Sequence, residues 1–127
     1  MITFGTFDLF HVGHLRILQT ASQLGTHLVV GVSSDALSFK KKTKYPVMPI
    51  ADRMEIVGGI GVVNEVFVED SFEKKAHYIR KYKADLLVMG ADWKGKLDEY
   101  ASLCNVRYVP RTPNISTSVL LEAISRM

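Results

Sequence analysis

Cys104 is the only cysteine in 127 residues. No intrachain disulfide can form, and no zinc site can rest on a cysteine pair. That suits a reducing compartment. No apolar run approaches the roughly 20 residues needed to cross a bilayer, so a membrane partner is not expected. The opening Met1-Ile2-Thr3-Phe4-Gly5 has no basic stretch ahead of an apolar core, so a signal peptide is not expected either. Linkers, repeats and low-complexity tracts are absent. Charge of one sign is also scarce, with 16 Lys and Arg against 13 Asp and Glu and a net +3. Basic residues gather only at Lys40-Lys41-Lys42-Thr43-Lys44 and around Lys74 to Lys83. A mildly basic balance with two such clusters does not make a single-strand platform, so no nucleic-acid partner is expected. The length fits one domain, residues 1–127, and the expected location is the cytoplasm.

What is present is an alternation of short apolar runs and helical patterns. Ile2 to Phe4 reads as a strand, and Val12 to Leu24 as a helix that Gly25 stops. His27 to Ser33 reads as a buried strand, followed by a polar, lysine-rich loop to about Met48. Pro49 suits a first helical turn, and Ile50 to about Gly58 reads as a short helix. Val62 to Val68 is the next strand. Asp70 with Glu73 three residues on predicts a capping box for a helix running to about Tyr82. Asp85 to Met89 and Val106 to Val109 are further strands, with a short helix over Leu97 to Leu103 between them. Ser116 or Thr117 caps a terminal helix. The pattern predicts an α/β fold, a three-layer, doubly wound parallel sheet of about five strands. Ligands of such sheets bind beyond the C-terminal strand ends, at the switch point. The loops Gly5 to His11, Ser33 to Lys44, Gly90 to Lys96 and Pro110 to Ser116 fall there.

His11 and His14 are the most informative residues. They stand in Gly5-Thr6-Phe7-Asp8-Leu9-Phe10-His11-Val12-Gly13-His14, at the start of a predicted helix. Free backbone N–H groups and the positive end of the helix dipole meet there, an arrangement that attracts phosphate. Gly13 lets an anion approach the backbone. Ser116-Thr117 opens the terminal helix in the same way, close after Arg111. Each feature has a plainer reading: surface histidines or half a zinc site, a simple helix cap, a solvated lysine loop.

The His-x-Gly-His spacing with Gly5-Thr6-Phe7-Asp8 resembles the active-site motif of the cytidylyltransferase-type nucleotidyltransferases. Arg111-Thr112-Pro113-Asn114-Ile115-Ser116-Thr117-Ser118 resembles that family's second motif. The resemblance implies a Rossmann-like HIGH-type nucleotidyltransferase fold and catalysis by His11, His14, Lys42 and Arg111. It implies a nucleotide site from Gly5, Thr6, Phe7, Asp8, His11, Gly13, His14, Lys44, Gly90, Asp92, Arg111, Thr112, Ile115, Ser116 and Thr117. Within the lysine run, Lys42 and Lys44 match the family's Lys-x-Lys pair, with Lys40 or Lys41 as alternatives. Val88-Met89-Gly90-Ala91-Asp92-Trp93-Lys94-Gly95-Lys96-Leu97-Asp98 is similar to a segment of the glycerol-3-phosphate cytidylyltransferase branch. That branch implies CTP as donor, Mg²⁺ carried by the triphosphate with no protein metal site, a phosphorylated alcohol as acceptor, and a homodimer. It implies acceptor contacts from Lys42, Lys75 and Arg53, and CDP-glycerol destined for teichoic acid or a related surface polymer.

This sequence also departs from the branch. Gly61 and Asn64 stand for an arginine and an aspartate, Ala91 for an aspartate, Phe72 for a tryptophan and Asn114 for a glycine. Asparagine tolerates a left-handed backbone, so the second motif's loop is expected to survive. The alternatives are transfer to another phosphorylated acceptor (phosphocholine, phosphoethanolamine, a sugar phosphate, FMN), with CTP or ATP as donor, or a nucleotide-binding module without turnover.

Overall fold

The computed structural model describes all 127 residues. Five strands form one parallel sheet: β1 (Ile2–Gly5), β2 (Val29–Ser33), β3 (Glu65–Glu69), β4 (Leu86–Gly90) and β5 (Asn105–Val109). Their order across the sheet is β3-β2-β1-β4-β5. The first three strands therefore wind outward in one direction, and β4 and β5 in the other. The winding reverses between β1 and β4, which end in Gly5 and Gly90. A crevice at that point, above the carboxyl ends of the strands, follows from the topology alone.

Alternation along the central strands sorts side chains into two cores. On one face Val30, Val32 and Val88 pack with Leu18 and Ala21 of helix α1 (Val12–Ser22) and Val57 of helix α3 (Ile50–Gly58). On the other, Ile2, Phe4, Val29, Leu87 and Met89 pack with Tyr78 and Ile79 of helix α4 (Lys75–Lys81). Three layers result, as continuously apolar strands require.

Several boundaries differ from the sequence reading, each for a local reason. The expected loop after Ser33 contains helix α2 (Asp35–Lys42). Ser34 caps it by accepting the Leu37 amide, Asp35 sits at its positive end, and Lys40, Lys41 and Lys42 sit at its negative end. The lysine run is thus the last turn of a helix. The capping box at Asp70 does not form. Asp70 instead accepts the Tyr78 hydroxyl at 2.5 Å, and Glu73 accepts from Ser71. A 3₁₀ turn, Phe72–Lys74, precedes α4. The segment Leu97 to Leu103 is likewise 3₁₀, over Asp98–Ser102. β3 starts at Glu65 because the Asn64 side chain turns back to accept the Leu28 amide at 2.8 Å. The terminal helix α5 (Thr117–Ser125) is capped by Ser116, which accepts the Val119 amide.

Candidate active site

The histidines open α1 as a reciprocal cap. His11 Nδ1 accepts the Gly13 amide at 3.0 Å, and His14 Nδ1 accepts the His11 amide at 3.2 Å. The rings stack with centroids 3.8 Å apart. An acceptor Nδ1 has no proton, so each neutral ring carries its proton on Nε2. Two donors are thereby fixed side by side at a helix N-terminus. Gly13 is needed for a second reason, beyond approach of an anion. A Cβ there would lie 2.8 Å from His11 Cε1 and displace the imidazole.

Two adjoining cavities lie over the switch point. One, of about 320 Å³, is lined by His11, Gly13, His14, Lys42, Asp92, Arg111, Thr112, Ile115, Ser116 and Thr117, among others. The other, of about 220 Å³, is lined by Gly5, Thr6, Phe7, Asp8, His14, Lys41, Lys42, Lys75, Asp92 and Thr117, among others. His14, Lys42, Gly90, Asp92, Trp93 and Thr117 belong to both. The histidine motif and the Arg111 motif, a hundred residues apart, therefore share one cavity. Thr117 ties them covalently distant but physically close, its hydroxyl donating to the Asp8 carbonyl at 2.9 Å. Arg111 lies 3.5 Å from Asp92 in an exposed pair, too weak to hold it from a phosphate. Asn114 takes φ +64°, the left-handed conformation expected of it.

Three expected contacts are placed differently. Arg53 is fully buried and reaches neither cavity. Its guanidinium donates to the carbonyls of Met48, Thr6 and Ser33 and to Asp35. Its donors clasp the Thr6 loop, the end of β2 and the segment before α3 rather than facing a cavity. Asp8 likewise spends its carboxylate on the amides of Leu9, Val47 and Met48, although it borders the smaller cavity. Lys44 is exposed and lines neither cavity, because α2 ends before it and Thr43 turns left-handed at φ +56°. Lys41 takes the place beside Lys42. Its Nζ donates to Ser33 Oγ at 2.7 Å. Lys75 lines the smaller cavity; it is buried and paired with Glu69. The sequence reading gave Lys41 only as an alternative and did not select Ser33, Glu69 or Trp93. Ser34-Asp35 ahead of an apolar-lysine pattern was the available signal for Lys41.

Burial pushes the His14 imidazole down to about 3, with His11 and Lys42 adding to the shift and Asp8 opposing it. His11 is lowered by burial and then by Arg111. Both rings are therefore neutral Nε2–H donors at physiological pH. On unfolding, His14 regains its ordinary value of 6.5. Between that value and about 3 the unfolded chain binds a proton that the folded chain refuses. Stability is present above the window and falls as the pH drops through it. Urea titrations at about pH 7 and about pH 5 should show this loss, and His14→Asn should lose less over the same interval. Equal losses in the two proteins would mean that His14 does not carry the effect.

Residues 2–123 match the Cytidylyltransferase-like family. A glycerol-3-phosphate cytidylyltransferase of Bacillus spizizenii is 44% identical over 127 residues, covering 100% of this chain and 98% of that protein. One of Staphylococcus aureus is 34% identical, covering 98% of this chain and 93% of its own. A crystal structure of a lipopolysaccharide core biosynthesis protein from Thermoplasma volcanium superposes with a TM-score of 0.73 at 20% identity, over 87% of this chain and 95% of that one; it shows the shared fold. With the paired imidazoles, the Arg111 loop and the parallel sheet already in place, the match over nearly its whole length settles that the chain belongs to the cytidylyltransferase-like family.

Proposed function

We propose that this chain moves CMP from CTP to sn-glycerol 3-phosphate, giving CDP-glycerol and pyrophosphate. The observation that carries the reading is the shared wall between two cation-lined cavities. The larger, with both imidazoles, Arg111 and the first amides of α5, suits a triphosphate. The smaller, with Lys41 and Lys75, suits the phosphate of the acceptor. His14 and Lys42 stand between them, where the α-phosphorus would lie. Relatives of the same length that bear the name glycerol-3-phosphate cytidylyltransferase support the choice of acceptor.

An acceptor phosphate oxygen forms a bond to the α-phosphorus, the bond to the bridging oxygen breaks, and pyrophosphate departs on the opposite side. No covalent enzyme intermediate is needed. The chain's work is to hold both substrates in line and to meet growing negative charge with donors already in place. His11 and His14 offer Nε2–H, and Lys42 and Arg111 offer charge. Asp92 and Trp93 on the β4 loop border both cavities and suit the base and ribose. Mg²⁺ enters as part of the substrate, bound to the triphosphate.

The unit that carries this activity is the single domain of residues 1–127, working in the cytoplasm as a homodimer. The apolar exposure of Val119, Leu121 and Ile124 on α5 supports self-association. Release of pyrophosphate from CTP, tested against sn-glycerol 3-phosphate, phosphocholine, phosphoethanolamine, a sugar phosphate and FMN, with ATP as the competing donor, tests the reading. Turnover with CTP and sn-glycerol 3-phosphate well above every other pair is expected. Preference for another acceptor would overturn the acceptor assignment, and binding of CTP without turnover would overturn the enzyme.

A further inference from the structure

Beneath the smaller cavity lies a charged group that touches neither cavity. Glu69, the last residue of β3, is fully buried, and both its carboxylate oxygens are engaged. Oε2 pairs with the Lys75 ammonium. Oε1 accepts the Ser33 hydroxyl at 3.3 Å, and Ser33 Oγ in turn accepts from Lys41 Nζ at 2.7 Å. The single Ser33 proton points to Glu69, which leaves its lone pairs for Lys41. Both ammonium groups also lie close to one aromatic ring. Lys41 Nζ is 5.0 Å and Lys75 Nζ 4.8 Å from the Phe72 centroid, and Lys75 is also 4.4 Å from that of Phe4. Both lysines line the smaller cavity, and neither Ser33 nor Glu69 does.

We propose that Glu69 is a positioning residue for the acceptor: through Lys75 directly, and through Ser33 to Lys41, one buried carboxylate sets the two ammonium groups that receive the acceptor's phosphate. The inference rests on the reading of the smaller cavity as the acceptor site. Two ammonium groups on the lining of one cavity suit a doubly charged phosphate monoester better than a single cation would. Holding them without a counter-charge would be costly, because each is largely withdrawn from water. A carboxylate below the site, with its oxygens already spent, supplies that counter-charge without competing for the substrate.

The arrangement makes the acceptor site sensitive to alkali. Burial lowers Lys41 to about 8; Glu69 opposes the shift, and Lys75, Lys42 and Arg53 add to it. Lys75 is also lowered, by burial first, with Glu69 opposing. As pH rises through that region Lys41 loses its charge, and acceptor binding weakens. Removing the carboxylate removes the opposing influence, so the loss must begin at lower pH.

The test is Glu69→Gln, which keeps shape and removes charge, with steady-state kinetics for each substrate across pH. The expected result is a rise in acceptor KM of about tenfold or more, with the KM for CTP within about twofold of wild type. The alkaline limb of kcat/KM for the acceptor should move to lower pH. Ser33→Ala, which cuts the relay to Lys41 and leaves the Lys75 pair, should raise acceptor KM by a smaller factor and move the same limb. If Glu69→Gln does not fold, Ser33→Ala alone decides. A folded variant with unchanged acceptor KM and unchanged limb would overturn the inference, and so would a parallel rise for CTP, which marks a general structural role. If wild type turns over no phosphorylated alcohol, the function reading has failed. The inference then stands or falls on calorimetry with inorganic phosphate, weaker in Glu69→Gln if it holds and equal to wild type if it does not.

Discussion

His14→Asn is expected to fold and to lose more than about a hundredfold in kcat, the scale set by removing one preorganised transition-state donor elsewhere. The choice of asparagine separates the two jobs of this imidazole. Nδ1 accepts the His11 amide and so holds the cap, and Nε2–H faces the cavities. An asparagine carbonyl can take over the cap, but the short side chain has no donor at the position of Nε2. His14→Gln extends further and can place an amide N–H near that point, so a partial recovery over His14→Asn is expected. His14→Ala loses cap and donor together, and its extra cost in stability over His14→Asn should be about 1 kcal/mol, as for a lost helix cap. Near-wild-type turnover in His14→Asn would remove His14 from the chemistry.

Arg53→Met is expected to cost about 3–5 kcal/mol of stability. The guanidinium satisfies three backbone carbonyls and the Asp35 carboxylate from a fully buried position. Each carbonyl left without a donor costs about 1–3 kcal/mol. Relief from burying a cation offsets part of that sum. A domain of this size should lose on the order of 10 °C in Tm or more. The kinetics matter as much as the melting. Arg53 has no donor in either cavity, so at temperatures where Arg53→Met is folded, kcat should fall through loosened loops without a selective rise in acceptor KM. A selective rise would restore Arg53 as an acceptor contact.

The sheet was legible from sequence because its central strands are apolar on both faces and its helices punctuated by Gly25, Pro49 and the Ser116 cap. The histidine motif and the Arg111 motif were legible as residues. Their meeting was legible only through the rule that such loops gather at one end of a parallel sheet. What stayed hidden has a common cause. Lys40 to Lys44 looks like a solvated loop because charge dominates the run, yet Ser34 and the helix dipole make most of it helical, which turns Lys41 inward. Arg53 was expected as a ligand because the family resemblance implied it; only the positions of the Met48, Thr6 and Ser33 carbonyls show where its donors go. Asp70 and Glu73 had capping-box spacing, but Tyr78 and Ser71 offered nearer partners. Glu69 gave no sign in the sequence, since burial of a charge depends on partners 6 and 36 residues away.

The central claim is that one polyphosphate lies between the imidazole pair and Arg111, met by Nε2–H donors on both rings. Nitrogen NMR of histidine- and arginine-labelled protein, titrated with MgCTP, tests it most directly. The expected spectra show both Nδ1 atoms unprotonated before and after binding, with the Nε2–H resonances of His11 and His14 and the guanidinium of Arg111 shifting together and saturating at one CTP concentration. Binding of CTP that leaves these resonances unmoved, or a protonated Nδ1 on either ring of the free protein, would contradict it.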